Sequence, residues 1–169
     1  EEKLRIIEQF GKARVWYLGL GGGEPLLEDK LDLLIRQIKK HSITVNISTN
    51  GLLLREKAEM LVKERVDHIT VSIDSIFPEV HDRNRGHEGL FKEIILGIAA
   101  VKKIRQGKTP ALTVRTVINK SNFSGLAAQA EHWRNIADDV MFKPINKNDI
   151  FYSVPDDLRM TEQEKEGLL

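Results

Sequence analysis

The residues of this chain best suited to bind a ligand begin with a glycine run near its start. Gly21, Gly22 and Gly23 allow a sharp backbone turn that can approach a ligand closely and offer it amide and carbonyl groups. Glu24 adds a carboxylate that could hold the loop in place or meet an ammonium group, and Pro25 fixes the exit toward a helix. A tight strand-to-helix turn without a ligand explains the same residues, so the run alone leaves both interpretations open.

Two further polar groups follow apolar runs later in the chain. Thr49 and Asn50 precede Gly51, and Asn-Gly is a common turn dipeptide that needs no ligand. Ser72 and Asp74 are two residues apart, so in a strand both side chains point to the same side and can reach one ligand.

Arg115 interrupts the apolar run 112–118, and a buried arginine requires an anionic partner. An internal carboxylate and a bound carboxylate or phosphate satisfy that requirement equally well. Lys143 lies near the end of the run 140–144.

Other kinds of chemistry find no support in the sequence. His81 and His87 are six residues apart, which matches no metal-ligand spacing, so no metal site is predicted. Neither a phosphate-binding nucleotide fingerprint nor a G-x-S-x-G elbow occurs, and no catalytic residue is assigned. The absence of cysteine excludes disulfides, thiolate zinc sites, cysteine nucleophiles and a self-contained iron–sulfur cluster within the 169 residues.

Charge and hydropathy exclude some partners. With 26 basic and 25 acidic residues, the formal net charge of +1 gives no field that would attract nucleic acid or an anionic membrane. No apolar run approaches the ~20 residues of a membrane span, and no signal peptide is visible. We therefore predict a cytoplasmic protein, with neither nucleic acid nor membrane as a partner.

Five β-rich runs alternate with helical patterns and would position these residues. The runs are 15–20, 43–48, 68–73, 112–118 and 140–144. Repeated β-then-α order predicts a parallel sheet with right-handed crossovers, either an open doubly wound sheet or a closed or partial barrel. The runs show little strict alternation, which favours strands covered by helices. Polar residues then gather at the carboxyl ends of the strands, where both folds bind ligands.

Three finer expectations follow from the same pattern. Residues 77–89, rich in Pro, His, Asp, Arg and Gly, are predicted to form a loop before the third helix. A fourth helix is predicted over 123–136, capped by Ser121 or Asn122. Trp16 and Trp133 are predicted to be core residues.

The ordered set of motifs resembles the radical S-adenosylmethionine (SAM) superfamily over nearly the whole chain. The segment 22–27 resembles its GGEP motif, and 47–51 (Ile-Ser-Thr-Asn-Gly) follows at the expected next strand. Residues 71–75 and 81–86 then continue the likeness, the latter similar to an H-D-x-x-R-G turn, followed by 115–118 with Asn122 and by 143–145. The similarity is greatest to the branch that contains the molybdenum-cofactor synthesis enzyme and the peptide-modifying SPASM enzymes.

This resemblance implies an α/β fold, a partial (βα)6 TIM-like barrel. Residues 1–12 would end the first helix, and the five runs would be strands two to six. Residues 1–150 would form the radical SAM core, incomplete at its N-terminus, and 151–169 would start a C-terminal extension. In the family, a Cys-x3-Cys-x2-Cys loop after strand one holds a 4Fe-4S cluster that splits SAM into methionine and a 5′-deoxyadenosyl radical, which abstracts a substrate hydrogen.

The resemblance also implies a cofactor-binding role for ten residues. They are Gly22, Gly23, Glu24 and Pro25 toward the SAM ammonium; Thr49 and Asn50 beside the methionine moiety; Ser72 and Asp74 toward the ribose or carboxylate; Arg115 on the carboxylate; and Lys143 near the adenine. No residue of this chain is implied as a metal ligand or as catalytic.

The missing cysteines are the departure from the family, so the segment alone is predicted to be inactive. Either the cluster-bearing N-terminus lies outside this chain, which the intact SAM motifs favour, or the chain is a degenerate homologue. The alternatives are a non-redox SAM- or nucleotide-binding module of the same fold and a phosphate-binding barrel lyase. The expected partners of the parent enzyme are a small-molecule or peptide substrate and an external electron donor.

Overall fold

The computed structural model describes residues 2–144, 160, 161 and 163, in which helices alternate with strands from the first residues onward. The helices are α1 (Glu2–Lys12), α2 (Leu31–Lys40), α3 (Leu54–Lys63), α4 (Pro78–Arg85), α5 (Leu90–Ile104) and α6 (Leu126–Arg134). Two short 3-10 turns precede α2 and α6, at Pro25–Leu27 and Phe123–Gly125. Most of the proposed extension 151–169 lies outside the described residues, so its predicted role is not tested.

The five strands lie within two residues of the predicted runs. They are β1 (Tyr17–Leu20), β2 (Thr44–Thr49), β3 (His68–Ser72), β4 (Ala111–Ile118) and β5 (Asp139–Pro144). Each pairs in parallel with the next, so the order across the sheet is the order along the chain.

This sequential order distinguishes between the two predicted architectures. A doubly wound sheet reverses its strand order at a switch point, which sends helices to both faces. Here every crossover advances by one strand in the same direction, and right-handed connections of that kind place all helices on one face. The predicted barrel-type α/β architecture is confirmed.

The prediction that the strands lack alternation is wrong for β2 and β4. Both alternate strictly between half-exposed and buried residues along their whole length. The helix-facing side carries rows such as Ile47, Ile69 and Leu112, which are partners in the parallel register and are fully buried or nearly so. The other side carries Ser48, Thr70 and Thr113, also in register. Because helices cover only one face, the strands need an apolar residue only at every second position.

The core lies between the helix-facing side of the sheet and the helices, which contribute apolar residues at helical spacing. In α5, Leu90, Ile94, Ile98 and Val101 are all buried, which explains why this helix is the longest described. Trp133 of α6 is fully buried, as predicted. No described helix is long and apolar enough to cross a membrane.

Trp16 is not a core residue, contrary to the prediction. Its side chain is 78% exposed and its ring lies 5.7 Å from that of Tyr17. Trp16 immediately precedes β1, an edge strand whose outer side pairs with no other described strand. An apolar residue at a sheet edge has few neighbours to bury it.

The segment 77–89 is not a loop, because eight of its residues form helix α4. Pro78 occupies the first turn, where its missing N–H costs nothing, and Gly86 ends the helix with a φ of 65°. The helix has a mostly polar sequence without an apolar stripe, so periodicity gave no signal for it. Its stability comes from tertiary contacts at the carboxyl ends of β3 and β4.

The fourth helix begins differently from the prediction. A 3-10 turn occupies Phe123–Gly125 before α6, and the Asn122 side chain makes no capping hydrogen bond to the helix. Instead, Asn122 Oδ1 accepts a hydrogen bond from the Asn119 backbone N–H at 2.8 Å.

Candidate functional site

The carboxyl ends of the five strands form one rim of the sheet, and nine of the ten predicted cofactor-binding residues lie on or just after a strand end there. Arg115 is the exception, since it lies in the middle of β4, directly across from Ser72 in the parallel register. Parallel pairing makes this gathering unavoidable, because every strand in such a sheet ends on the same side.

The glycine loop after β1 has an open backbone. Gly22 and Gly23 have φ values of 82° and 40°, which side-chain-bearing residues rarely adopt. A Cβ built on Gly21, Gly22 or Gly23 would find no atom within 4 Å. Gly22 and Gly23 are therefore required by backbone conformation rather than by crowding, and the peptide groups of the loop are accessible to a ligand.

Glu24 ties this loop to the end of β2. One carboxylate oxygen accepts hydrogen bonds from the Thr49 hydroxyl at 2.7 Å and from the Leu26 backbone N–H at 3.0 Å. The other accepts from the Asn50 backbone N–H at 2.7 Å. Of the two roles open to this carboxylate, the structure places it in the first, holding the loop.

The turn after β2 is closed by its own side chains. The Asn50 side-chain oxygen accepts from the Leu52 backbone N–H, and the Thr49 hydroxyl accepts from the Gly51 N–H, both at 2.9 Å. Gly51 has a φ of 86°, and a Cβ there would lie 2.7 Å from Ile94 of α5. This glycine is thus required twice, by conformation and by the close packing of α5.

Ser72 and Arg115 form a polar pair on the face of the sheet away from the helices. The Arg115 guanidinium donates to the Ser72 hydroxyl at 3.2 Å. Among the described residues, no carboxylate lies within ion-pair distance of Arg115. The internal salt bridge that the sequence left open is therefore not found in the described part of the chain, and the guanidinium remains able to receive an anion.

Asp74, two residues beyond Ser72, has a cationic partner of its own. Its Oδ1 accepts a hydrogen bond from Arg85 Nη2 at 2.7 Å, and its Oδ2 lies 2.7 Å from Arg85 Nε in an ion-pair contact without hydrogen-bond geometry. The Asp74 side chain is only 8% exposed. Sequence reasoning named Asp74 but missed Arg85, which lies eleven residues away on a helix that periodicity did not reveal.

His81 of α4 also contacts the end of β3, through the backbone of Asp74. Its Nδ1 accepts a hydrogen bond from the Asp74 backbone N–H at 3.1 Å, and its ring packs edge-on against Phe91. Burial lowers the pKa of His81 to about 4, outweighing the opposite effect of the Asp74 carboxylate. The imidazole is therefore neutral at physiological pH and acts as a hydrogen-bond acceptor.

Two more residues of the 81–86 motif connect α4 to its surroundings. Asp82 accepts from the backbone N–H groups of Gly89 and Phe91, at 2.6 and 2.8 Å, and so caps the first turn of α5. Asn84 donates to the Ser121 hydroxyl at 2.9 Å in the loop after β4. The residues of this motif therefore have a structural role that the sequence did not reveal: they hold α4 against the strand ends and against α5.

Lys143 is located in β5, in register with Val117, whereas Ile145 lies outside the described residues. Within the described ranges, no group of three or more His, Cys, Asp or Glu residues could hold a metal ion. The chain has no cysteine, so the donor set present does not fit a thiolate-bound iron–sulfur cluster.

The sequence of the chain matches known proteins over most of its length. The profile of the radical SAM superfamily matches residues 1–124. A probable GTP 3′,8-cyclase of Thermococcus kodakarensis is 32% identical over 119 residues, covering 70% of this chain and 38% of that protein. The PqqA peptide cyclase of Granulibacter bethesdensis is 31% identical over 132 residues, covering 78% of this chain and 34% of that protein. The chain thus spans little more than a third of the length of these relatives.

Solved structures agree at the level of the fold. Streptococcus suis SuiB bound to S-adenosylmethionine superimposes with a TM-score of 0.75 at 15% identity, covering 98% of this chain and 38% of that one. Native anSMEcpe with bound AdoMet gives a TM-score of 0.76 at 14% identity, covering 98% and 48% of the two chains. The expected likeness in sequence and the expected barrel-type fold are both confirmed, and the chain belongs to the radical SAM superfamily.

Proposed function

We propose that this chain is the SAM-binding core of a radical SAM enzyme whose cluster ligands lie outside these 169 residues. The observation that carries the proposal is the Arg115–Ser72 pair, a partly exposed guanidinium and a buried hydroxyl on the face of the sheet away from the helices. Such a pair suits a carboxylate, which a guanidinium receives with two parallel hydrogen bonds. The open backbone of Gly22 and Gly23 on the same rim suits the ammonium group, which carbonyl oxygens can receive.

The other predicted site residues divide into two roles under this proposal. Glu24, Thr49 and Asn50 hold the glycine loop against β2 and bring its backbone to the methionine moiety, with Pro25 fixing the exit of the loop. Ser72 and Arg115 meet the carboxylate. Asp74 lies beside them toward the ribose, and Lys143 lies toward the adenine.

The iron–sulfur cluster must come from another segment of the protein, since this chain contains no cysteine. When bound, SAM and a reduced 4Fe-4S cluster supply a radical that abstracts hydrogen from a substrate. The residues of this chain would bind and orient SAM for that chemistry, for which the parent protein would need an external electron donor. On this proposal the 169 residues alone are inactive.

The substrate is proposed to be a small molecule or a peptide. The names of the relatives point to both kinds, since one is a GTP 3′,8-cyclase and another a peptide cyclase. The half-exposed sheet face carries hydroxyl and amide side chains such as Asn46, Ser48 and Thr113, which suit a polar substrate. We propose a cytoplasmic location for the protein. Neither nucleic acid nor a membrane is proposed as a partner.

The Arg115→Ala variant tests the carboxylate assignment. In the protein that contains this chain, we expect the variant to bind SAM about 10- to 100-fold more weakly, because a hydrogen-bonded charge pair is lost. Isothermal titration calorimetry gives the dissociation constant. Arg134→Ala, an exposed arginine at the end of α6, is the matched control and should leave the affinity unchanged.

Three outcomes would contradict parts of the proposal. Unchanged SAM affinity in Arg115→Ala would remove the carboxylate assignment. Tight SAM binding by a protein without a Cys-x3-Cys-x2-Cys segment would favour the non-redox module. Binding of inorganic phosphate with no binding of SAM would favour the barrel lyase.

A further inference from the structure

We propose that Arg85 is a positioning residue for SAM, acting through Asp74 to hold the end of β3 so that Ser72 faces Arg115. The inference rests on the proposed function and extends it to a residue of α4 that lies outside the ten candidate residues. Arg85 makes no hydrogen bond or ion pair with Ser72 or Arg115, and its effect would pass through the strand end.

Arg85 and Asp74 form an ion pair with two short contacts, one of which is a hydrogen bond. Both guanidinium–carboxylate distances are 2.7 Å, and the Asp74 side chain is 8% exposed against 23% for Arg85. The two contacts hold the Asp74 carboxylate against the guanidinium. Removing Arg85 would leave an uncompensated carboxylate in a buried position, which favours its movement toward water.

The backbone of Asp74 is held on both sides by hydrogen bonds. Its N–H donates to His81 Nδ1 at 3.1 Å, and its carbonyl accepts from Asn122 Nδ2 at 2.9 Å. Asn122 also donates to the Val117 carbonyl at 2.9 Å, so one amide joins the ends of β3 and β4. A shift of Asp74 toward water would therefore break contacts to both α4 and β4.

This strand end is connected to the pair of Ser72 and Arg115. Ser72 lies two residues before Asp74, and its hydroxyl is 3.2 Å from Arg115 Nη2, near the upper limit of a hydrogen bond. Ile73 lies between Ser72 and Asp74, and its carbonyl accepts a hydrogen bond from the Thr116 hydroxyl at 2.7 Å. Movement of residues 73–74 would separate Ser72 from Arg115, and a carboxylate could then no longer meet both.

The test is a set of SAM dissociation constants measured by calorimetry on the protein that contains this chain. We expect Arg85→Gln to weaken SAM binding about 10-fold, a typical size for coupling through a packed network. Arg85→Lys keeps the charge but replaces the planar guanidinium by a single ammonium group, and its SAM affinity should fall between those of Arg85→Gln and the wild type. Arg83→Gln, an exposed arginine on the same helix, is the matched control and should bind SAM like the wild type.

A double-mutant comparison distinguishes positioning from a general loss of structure. If Arg85 acts through Ser72, adding Arg85→Gln to a Ser72→Ala background should weaken SAM binding by less than about 2-fold further. An equal further 10-fold loss in that background would overturn the proposal, as would wild-type affinity in Arg85→Gln. Should Arg85→Gln fail to fold, Arg85→Lys in the same two backgrounds gives the same comparison. Failure of the wild type to bind SAM would instead overturn the proposed function.

Discussion

The protonation state of the His81 side chain affects the stability of the rim formed by the carboxyl ends of the strands. It accepts a hydrogen bond through Nδ1, so the proton of the neutral ring resides on Nε2, a buried atom without a hydrogen-bond partner among the described residues. A charged imidazole there would lose the Asp74 N–H contact and would place a second donor in a site with no acceptor. This arrangement explains why burial keeps the pKa low although two carboxylates lie nearby.

The depressed pKa of His81 predicts a loss of stability on mild acidification. The unfolded chain binds a proton near pH 6.5, whereas the folded protein does so only near pH 4, so the free energy of unfolding falls as the pH drops through that window. The full difference is about 3 kcal/mol. His81→Asn keeps an acceptor for the Asp74 N–H but does not titrate, so urea unfolding between pH 7 and pH 4 should show a shallower decline. Parallel curves for the two proteins would contradict this prediction.

Helix and strand positions depend on contacts that recur along the chain. Asp67 and Asp138 each directly precede a strand, and each accepts from a backbone N–H of the strand before, at Val45 and Leu112. Each also pairs with a cation, Lys39 at the end of α2 and Arg105 after α5. The hydrogen bond from Arg105 is the main cause of the lowered pKa of Asp138. The partners are about 30 residues apart, so local patterns could not reveal this repeated device.

Helices α3 and α5 approach closely at Gly97, which predicts an unusual response to alanine. In an isolated helix, alanine would be favoured over glycine by up to about 1 kcal/mol. Here a Cβ on Gly97 would lie 2.8 Å from Leu54 Cβ and 3.0 Å from the Arg55 backbone nitrogen, which cannot yield easily. We expect Gly97→Ala to lower the free energy of unfolding by about 1–3 kcal/mol, measured by urea unfolding.

Gly125 provides the matched control for that packing prediction. It has a φ of −107°, and a Cβ there would meet nothing within 4 Å. Gly125 is the N-cap of α6, where alanine is less favourable than glycine, so Gly125→Ala should cost about 0.5 kcal/mol, less than Gly97→Ala. A stable Gly97→Ala variant with an unchanged midpoint would mean that the two helices can separate at little cost.

Across the whole molecule, the sequence predicts the order of elements better than their contacts. All five strands follow from apolar runs, because parallel strands are short and bounded by polar turns. Helix α4 does not follow, since a polar helix held by tertiary contacts has no periodic signal. The pair between Asp74 and Arg85 depends on that helix and was missed with it. The exposed Trp16 was misjudged because burial depends on neighbours, which composition alone does not supply.

The difference between the two faces of the sheet is also visible in the sequence. Residues 44–48 read Thr-Val-Asn-Ile-Ser, and 112–115 read Leu-Thr-Val-Arg, both with polar residues at every second position. That alternation places Asn46, Ser48, Thr113 and Arg115 on the half-exposed face. Candidate substrate contacts could thus have been found from a period of two, without a family resemblance.

A reciprocal exchange at adjacent positions of β4 tests this division of the sheet. Val114→Thr would place a hydroxyl on the helix-facing side, where the side chain is 1% exposed, and should cost about 1–3 kcal/mol of unfolding free energy. Thr113→Val makes the opposite change on the half-exposed face and should stay within about 0.5 kcal/mol. Both substitutions keep a β-branched side chain, so strand propensity is matched and urea unfolding reports only the environment. Equal losses in the two variants would mean that the polar face is packed as tightly as the core, and a face of that kind could not admit a cofactor or a substrate.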